Sequence, residues 1–157
     1  DWPEARRVNH ITKEMVCNAP YIYELLPRLN QVLAQVKTIV GYNFTGFDNG
    51  FLTRYGASFN DETIVEDLSN IFAAIYGEFS PKHGDFKFKN LSTCADYFGY
   101  DWGEETAHNS LADCRATAFC YQMALEEKYQ ALYQENIHKR DCGFFDESYD
   151  ACGDYNG

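Results

Sequence analysis

The residues best suited to chemistry are two aspartates and a histidine. His108 precedes Asp113 by five positions, and Asp113 falls in the first turn of the longest helical pattern in the chain. Asp48 opens another helical pattern directly after a short β-prone run. If both carboxylates face one cleft, they form a pair of hard oxygen donors suited to Mg2+ or Mn2+. His108, in the loop before Asp113, can then stand beside the ions without occupying them. That position suits a general base acting on a water at the metal, with a phosphodiester held across two ions and attacked in line. Plainer roles compete. Ser110 to Asp113 and Thr45 to Asp48 both match a capping box, in which the acid at the third helical position reaches back to the cap. A carboxylate in a first turn is also favoured by the helix dipole. Taken alone, each aspartate reads more simply as a cap, and a lone loop histidine as a solvated residue.

The elements that must carry these residues follow from hydrophobic periodicity. Thr12 caps a short helical turn, with Met15 and Val16 packing inward. Ile22, Leu25, Leu26, Leu29, Val32 and Leu33 recur at helical spacing, which predicts a helix from Tyr21 to about Gln35. Val36 to Tyr42 reads as a buried strand that delivers the segment Asn43 to Asp48. A helix from Phe47 to about Tyr55 follows, closed by Gly56. Thr63 to Asp67 is a second strand and Leu68 to Ile75 a helix. Glu78 to Lys89 is a loop, Leu91 to Phe98 a helix ending at Gly99, and Tyr100 to Asn109 a loop. Leu111 to about Ile137 reads as one long helix, with Leu111, Ala118, Tyr121, Leu125, Tyr129 and Leu132 along its apolar stripe. Residues 138–157, acidic and glycine-bearing, read as a mobile tail. Its His138, Cys142 and Cys152 fit no zinc spacing.

Strand and helix alternate, so the class is α/β, and 157 residues suit a single domain. Two strands are few for a sheet, and an apolar strand such as Val36 to Tyr42 needs neighbours on both edges. The formal charge of −11 repels nucleic acid at long range and speaks against a broad phosphate-binding face. Divalent ions can nevertheless bring phosphate to an acidic site. None of the six cysteines forms a C-x-x-C pair. Cys94, Cys114 and Cys120 lie in apolar helical patterns and read as reduced thiols acting as small hydrophobes. With no signal peptide and no membrane-length apolar run, the expected setting is cytoplasmic.

Taken together and in order, these segments resemble one family. Gly41-Tyr-Asn-Phe-Thr-Gly-Phe-Asp48-Asn-Gly-Phe-Leu52 is similar to the second motif of the DEDDh (DnaQ-like) 3′→5′ exonucleases, the group of the bacterial polymerase III epsilon subunit. His108-Asn-Ser-Leu-Ala-Asp113-Cys-Arg-Ala-Thr is similar to their third motif, with its H-x4-D spacing. The stretch from Val8 to Val16 and the landmarks Lys89-Asn-Leu91 and Phe98-Gly99-Tyr100 extend the likeness over about residues 7–125. The resemblance implies a ribonuclease-H-like fold, a mixed sheet flanked by helices. It implies Asp48 and Asp113 as ligands of a two-ion Mg2+ or Mn2+ site, His108 as general base, and Asn43 and Phe47 beside the scissile nucleotide. The substrate would be the 3′ end of single-stranded DNA or RNA, with the domain either serving a polymerase or acting alone.

Two departures stand out. The Asn43 to Asp48 spacing is one residue longer than in the epsilon subunit. It looks like that of family B polymerase exonuclease domains, which carry tyrosine where His108 stands. The family's first motif, D-x-E on the first strand, has no counterpart, since Asp1-Trp2-Pro3-Glu4 has the wrong spacing and a proline ill-suited to a central strand. The expectation is therefore an exonuclease domain over residues 1–137 that lacks its first three strands and two of four acidic ligands. Such a chain would bind metal weakly and be nearly inactive alone. The edge of its strand at Val36 to Tyr42 would be open, which invites self-association. The alternative is a non-catalytic module that keeps the fold for protein or nucleic-acid contact.

Overall fold

The computed structural model describes residue 7 and residues 11–103 and 109–145. Among these, α1 (Lys13–Val16) starts at Thr12, whose hydroxyl accepts the Met15 N–H. Met15 and Val16, expected inside, are exposed, because a single turn is too short to lay a face on a neighbour. Helix α2 (Ile22–Leu33) leads to β1 (Thr38–Gly41), and the turn after β1 leads to α3 (Asp48–Arg54). Strand β2 (Ile64–Asp67) pairs in parallel with β1, Thr38 opposite Ile64 through Gly41 opposite Asp67. Helix α4 (Leu68–Tyr76) follows β2 without a break.

The class is the expected one: mixed α/β, few strands, flanking helices. The strand β1 is not buried on both faces as its apolar run suggests. It is half-buried, and Ile64 and Val65 of β2 are exposed, because helices α4 and α6 cover one side of a sheet that has two strands among the described residues. The stretch expected as a loop holds a short antiparallel hairpin, β3 (Phe79–Ser80) and β4 (Asp85–Phe86), turned at Pro81 to Gly84. Two residues per strand give no alternation to read.

Helix α5 (Leu91–Phe98) is capped by Asn90, which accepts the Thr93 N–H at 2.8 Å, and stops at Gly99 in the left-handed region. The expected long helix is two: α6 (Ser110–Ala124) and α7 (Glu127–Asp141), with Glu126 extended between them. The break has a pattern behind it. Ala112, Ala116, Cys120 and Ala124 are the buried stripe of α6 at steps of four. The packed residues of α7 are Tyr129, Tyr133 and Ile137, so the step across the junction is five and the faces fall out of phase. Leu111, Leu125 and Leu132, placed on the stripe by bulk, are exposed. Helix α7 continues past Ile137 to Asp141, Arg140 pairs with Asp85 at 3.1 Å, and the Phe145 ring stacks on Phe79 at 4.5 Å. The stretch from 138, acidic in composition, thus begins inside a packed helix. Residues 146–157 lie outside the described residues.

The core lies among α4, α5, α6 and α7, around Leu68, Phe72, Cys94, Phe98, Cys120 and Ala124. Its small side chains let α5 and α6 approach closely. Cys94 and Cys120 are fully buried and act there as hydrophobes, whereas Cys114, expected on the apolar pattern, is exposed. Among the described residues no helix is long and apolar enough to cross a membrane.

Candidate active site

The site begins where β1 ends. A Cβ at Gly41 would clash with the Phe44 Cβ, so only glycine lets the chain fold back there. Asn43 follows in the left-handed region at φ 56°, which asparagine tolerates better than most residues. Phe44 is buried edge-on against Phe59. The Phe47 N–H donates to the Asn43 carbonyl at 3.1 Å and the Asn49 N–H to the Phe44 carbonyl at 2.9 Å, which winds the turn into α3. Asp48 is the first residue of that helix.

One buried carboxylate holds the turn in place. Asp67, at the end of β2 and 6% exposed, accepts the N–H groups of Asn43 (2.8 Å), Thr45 (3.0 Å) and Ser69 (3.2 Å). It also accepts the hydroxyls of Thr45 (2.6 Å) and Ser69 (2.7 Å). Burial raises the pKa of Asp67, but these donors outweigh it and hold the carboxyl below its ordinary value. Its role was not read from the pattern, where it was the last residue of a strand. The available signal was an aspartate at the junction with Leu68-Ser69, a helix-start signature.

Neither aspartate closes the capping box expected of it, although both lie in a first turn where the helix dipole favours a carboxylate. The Thr45 hydroxyl is engaged by Asp67, and Phe47, the N-cap of α3, makes no side-chain cap bond. Helix α6 is capped by Asn109, whose side chain accepts the Leu111 N–H at 3.1 Å. That places Asp113 at the fourth helical position, one past a capping-box acid. Instead Asp48 and Asp113 line one cleft of about 630 Å³, bordered by Val40, Gly41, Tyr42, Cys114 and Thr117. It opens at the carboxyl end of β1, where parallel α/β sheets bind their ligands. Tyr42 donates its phenol proton to the Lys89 carbonyl at 2.9 Å, tying the start of α5, whose Leu91 forms another wall, to the strand. Asp48 is exposed and Asp113 half-buried. Asn43 and Phe47 are exposed on the turn between Gly41 and Asp48, outside the lining of the cleft. His108 lies outside the described residues.

A family profile for exonucleases, the RNase T type, matches residues 2–121. The chain belongs to this exonuclease family. No curated protein and no solved structure matches it significantly. The matched span takes in β1, β2, both aspartates and all but the last turn of α6, so the mixed α/β arrangement with flanking helices is that of a ribonuclease-H-like exonuclease domain, although among the described residues the β1–β2 sheet is purely parallel rather than mixed. The chain is accordingly a nuclease-type hydrolase by family, and nucleic acid is the substrate class. Two aspartates lining one cleft fit a hard divalent cation in kind. In number they fall short, since among the described residues no group of three or more His, Cys, Asp or Glu could hold a metal.

Proposed function

We propose that this exonuclease domain hydrolyses phosphodiester bonds from the 3′ end of single-stranded DNA or RNA. Asp48 and Asp113 would hold a two-ion Mg2+ or Mn2+ site and His108 would be the general base. The observation that carries this reading is that Asp48 and Asp113, far apart in the chain, line the same cleft. When bound, the ions supply the positive charge that draws phosphate to an acidic chain and offsets charge building on its oxygens. The chain's own residues do the rest. Asp48 and Asp113 fix where the phosphate sits, Asn43 and Phe47 border the terminal nucleotide, and His108 takes the proton of the attacking water. Each hard ion takes about six ligands, so the remaining ones come from outside the described residues or from water, and turnover by this chain is slow.

The test is degradation of a 5′-labelled single-stranded oligonucleotide, DNA and RNA in parallel, with Mn2+. The expected result is a slow 3′→5′ ladder, abolished by chelator and lowered about 10²- to 10⁴-fold by His108→Ala, the range for a lost general base. A ladder indifferent to His108 overturns its role. A second reading, favoured by the absence of a three-ligand group among the described residues, is a non-catalytic exonuclease-like module. Oligonucleotide binding with no ladder supports that reading instead.

The resemblance to the epsilon group extends the proposal to a polymerase as partner and the cytoplasm as setting. The β1 edge away from β2 pairs with no strand among the described residues, and we assign it to contact with a second copy of the chain. Sedimentation at micromolar concentration is expected to show a dimer; a monomer throughout removes that contact.

A further inference from the structure

Beside the cleft the surface is aromatic. Tyr21 and Tyr23 at the start of α2, Phe51 on α3 and Tyr55 just after it are 67%, 63%, 55% and 50% exposed. With Leu26 and Leu52 they border a second groove of about 540 Å³. Leu52 lines both the groove and the cleft, so the two adjoin across it. Asp48, Phe51, Leu52 and Tyr55 stand at helical positions i, i+3, i+4 and i+7, which puts them on one face of α3. At 1.5 Å per residue that face runs about 10 Å from Asp48, the length of about three bases stacked at 3.4 Å.

The groove is held open by the fold. Asn30 of α2 donates to the Gly56 carbonyl at 3.0 Å and accepts the Ser58 N–H at 2.9 Å, fixing α2 against the end of α3. The Tyr21 and Tyr23 rings lie parallel, 6° apart with centroids at 5.3 Å. A chain of net charge −11 gains no long-range attraction to a nucleic-acid strand. Stacking on exposed rings needs no charge and tolerates any base.

We propose that this groove is a base-stacking subsite. It takes the bases that follow the terminal nucleotide of a single strand whose end lies at Asp48 and Asp113. The proposal rests on the exonuclease reading for the direction of the strand, but its binding arm can be measured without cleavage.

The test is anisotropy of 5′-fluorescein-labelled dT12 and U12 with the full chain in EDTA, over a series of salt concentrations. The variant Tyr23→Ala/Tyr55→Ala is expected to bind about ten- to a hundredfold more weakly, given ~1–3 kcal/mol per stacked base. Its slope against salt stays unchanged, because no phosphate contact is removed. Tyr23→Phe/Tyr55→Phe, which keeps both rings, restores binding. In the ladder assay the loss falls on KM rather than kcat. Both tyrosines are exposed, and a thermal melt matching the parent excludes misfolding. Unchanged affinity in the alanine variant overturns the proposal, as does a parent that binds neither oligonucleotide. A dimer that the alanine variant dissociates, with oligonucleotide binding intact, overturns it in favour of a second copy in the groove. A parental ladder with no tyrosine effect sinks the subsite alone. Ring-dependent binding without a ladder sinks the hydrolytic reading alone.

Discussion

On the proposed function, Asp113→Asn is expected to lower the rate at which this chain shortens a 5′-labelled single strand by about 10³-fold, and Asp48→Asn by about 10²-fold. Each change keeps the shape of the side chain and removes its charge, so the loss reports on charge at the cleft. The larger effect falls on Asp113 because it is half-buried, where a charge interacts through less water than at exposed Asp48. A 10³-fold loss is about 4 kcal/mol of barrier. Stability changes far less. A first-turn carboxylate is worth about 0.3–1 kcal/mol through the helix dipole, or a few degrees of melting temperature in a chain of this size. If the two carboxylates hold one pair of ions, as proposed, they fail together, and the double variant is expected to lose little more than Asp113→Asn alone. Single-turnover rates in Mn2+, with a melt for each variant, measure all of this. A rate for Asp113→Asn within threefold of the parent removes it from the site, and multiplicative losses in the double variant would mean that the two carboxylates work apart.

The turn after β1 and the start of α6 were legible because each compresses its geometry into a few adjacent residues. Gly41, Asn43, Phe44 and Asp48 belong to one turn, and their spacing is what the turn needs: a glycine where Phe44 closes in, an asparagine at positive φ, then a helix start. Asp113 was legible for the same reason, although the cap assigned beside it was off by one residue, since Ser110 and Asn109 are both good capping residues and the chain chose the earlier. Long-range features were hidden. Nothing local distinguishes Asp67 from any other aspartate at a helix start, because its partners at Asn43 and Thr45 come from another strand end. The division of α6 from α7 was hidden by the wrong stripe. Bulk pointed to Leu111, Leu125 and Leu132, whereas the packed face uses Ala112, Ala116, Cys120 and Ala124 so that α5 can approach. Read on the small residues, the phase slip at Ala124 to Tyr129 is visible in the sequence.

Asp67→Ala lowers stability by about 3–4 kcal/mol and the melting temperature by about 10 °C. The carboxylate accepts five hydrogen bonds, and hydrogen bonds to a charged group are worth about 1.5–3 kcal/mol each. The sum overstates the loss, because Asn43 and Thr45 are exposed enough for water to reach their N–H groups. Asp67→Asn keeps one acceptor oxygen and turns an NH2 toward donors, so it costs about 2 kcal/mol. The pH dependence follows from the lowered pKa. Folded Asp67 sheds its proton more readily than in the unfolded chain, so between the ordinary value of 3.8 and the lower folded value the unfolded state binds more protons. The stabilisation is full above the ordinary value and fades as pH falls through the folded one. Urea midpoints of the parent and Asp67→Asn, taken from pH 6 downward, should therefore converge in acid and stay apart at neutral pH. Equal midpoints at neutral pH would show that the turn stands without Asp67. The loss reaches the cleft as well. The turn tied to Asp67 carries Asp48 at its end, so if Asp48 is a ligand as proposed, the single-turnover rate of Asp67→Asn is expected to fall even at temperatures where that variant is fully folded.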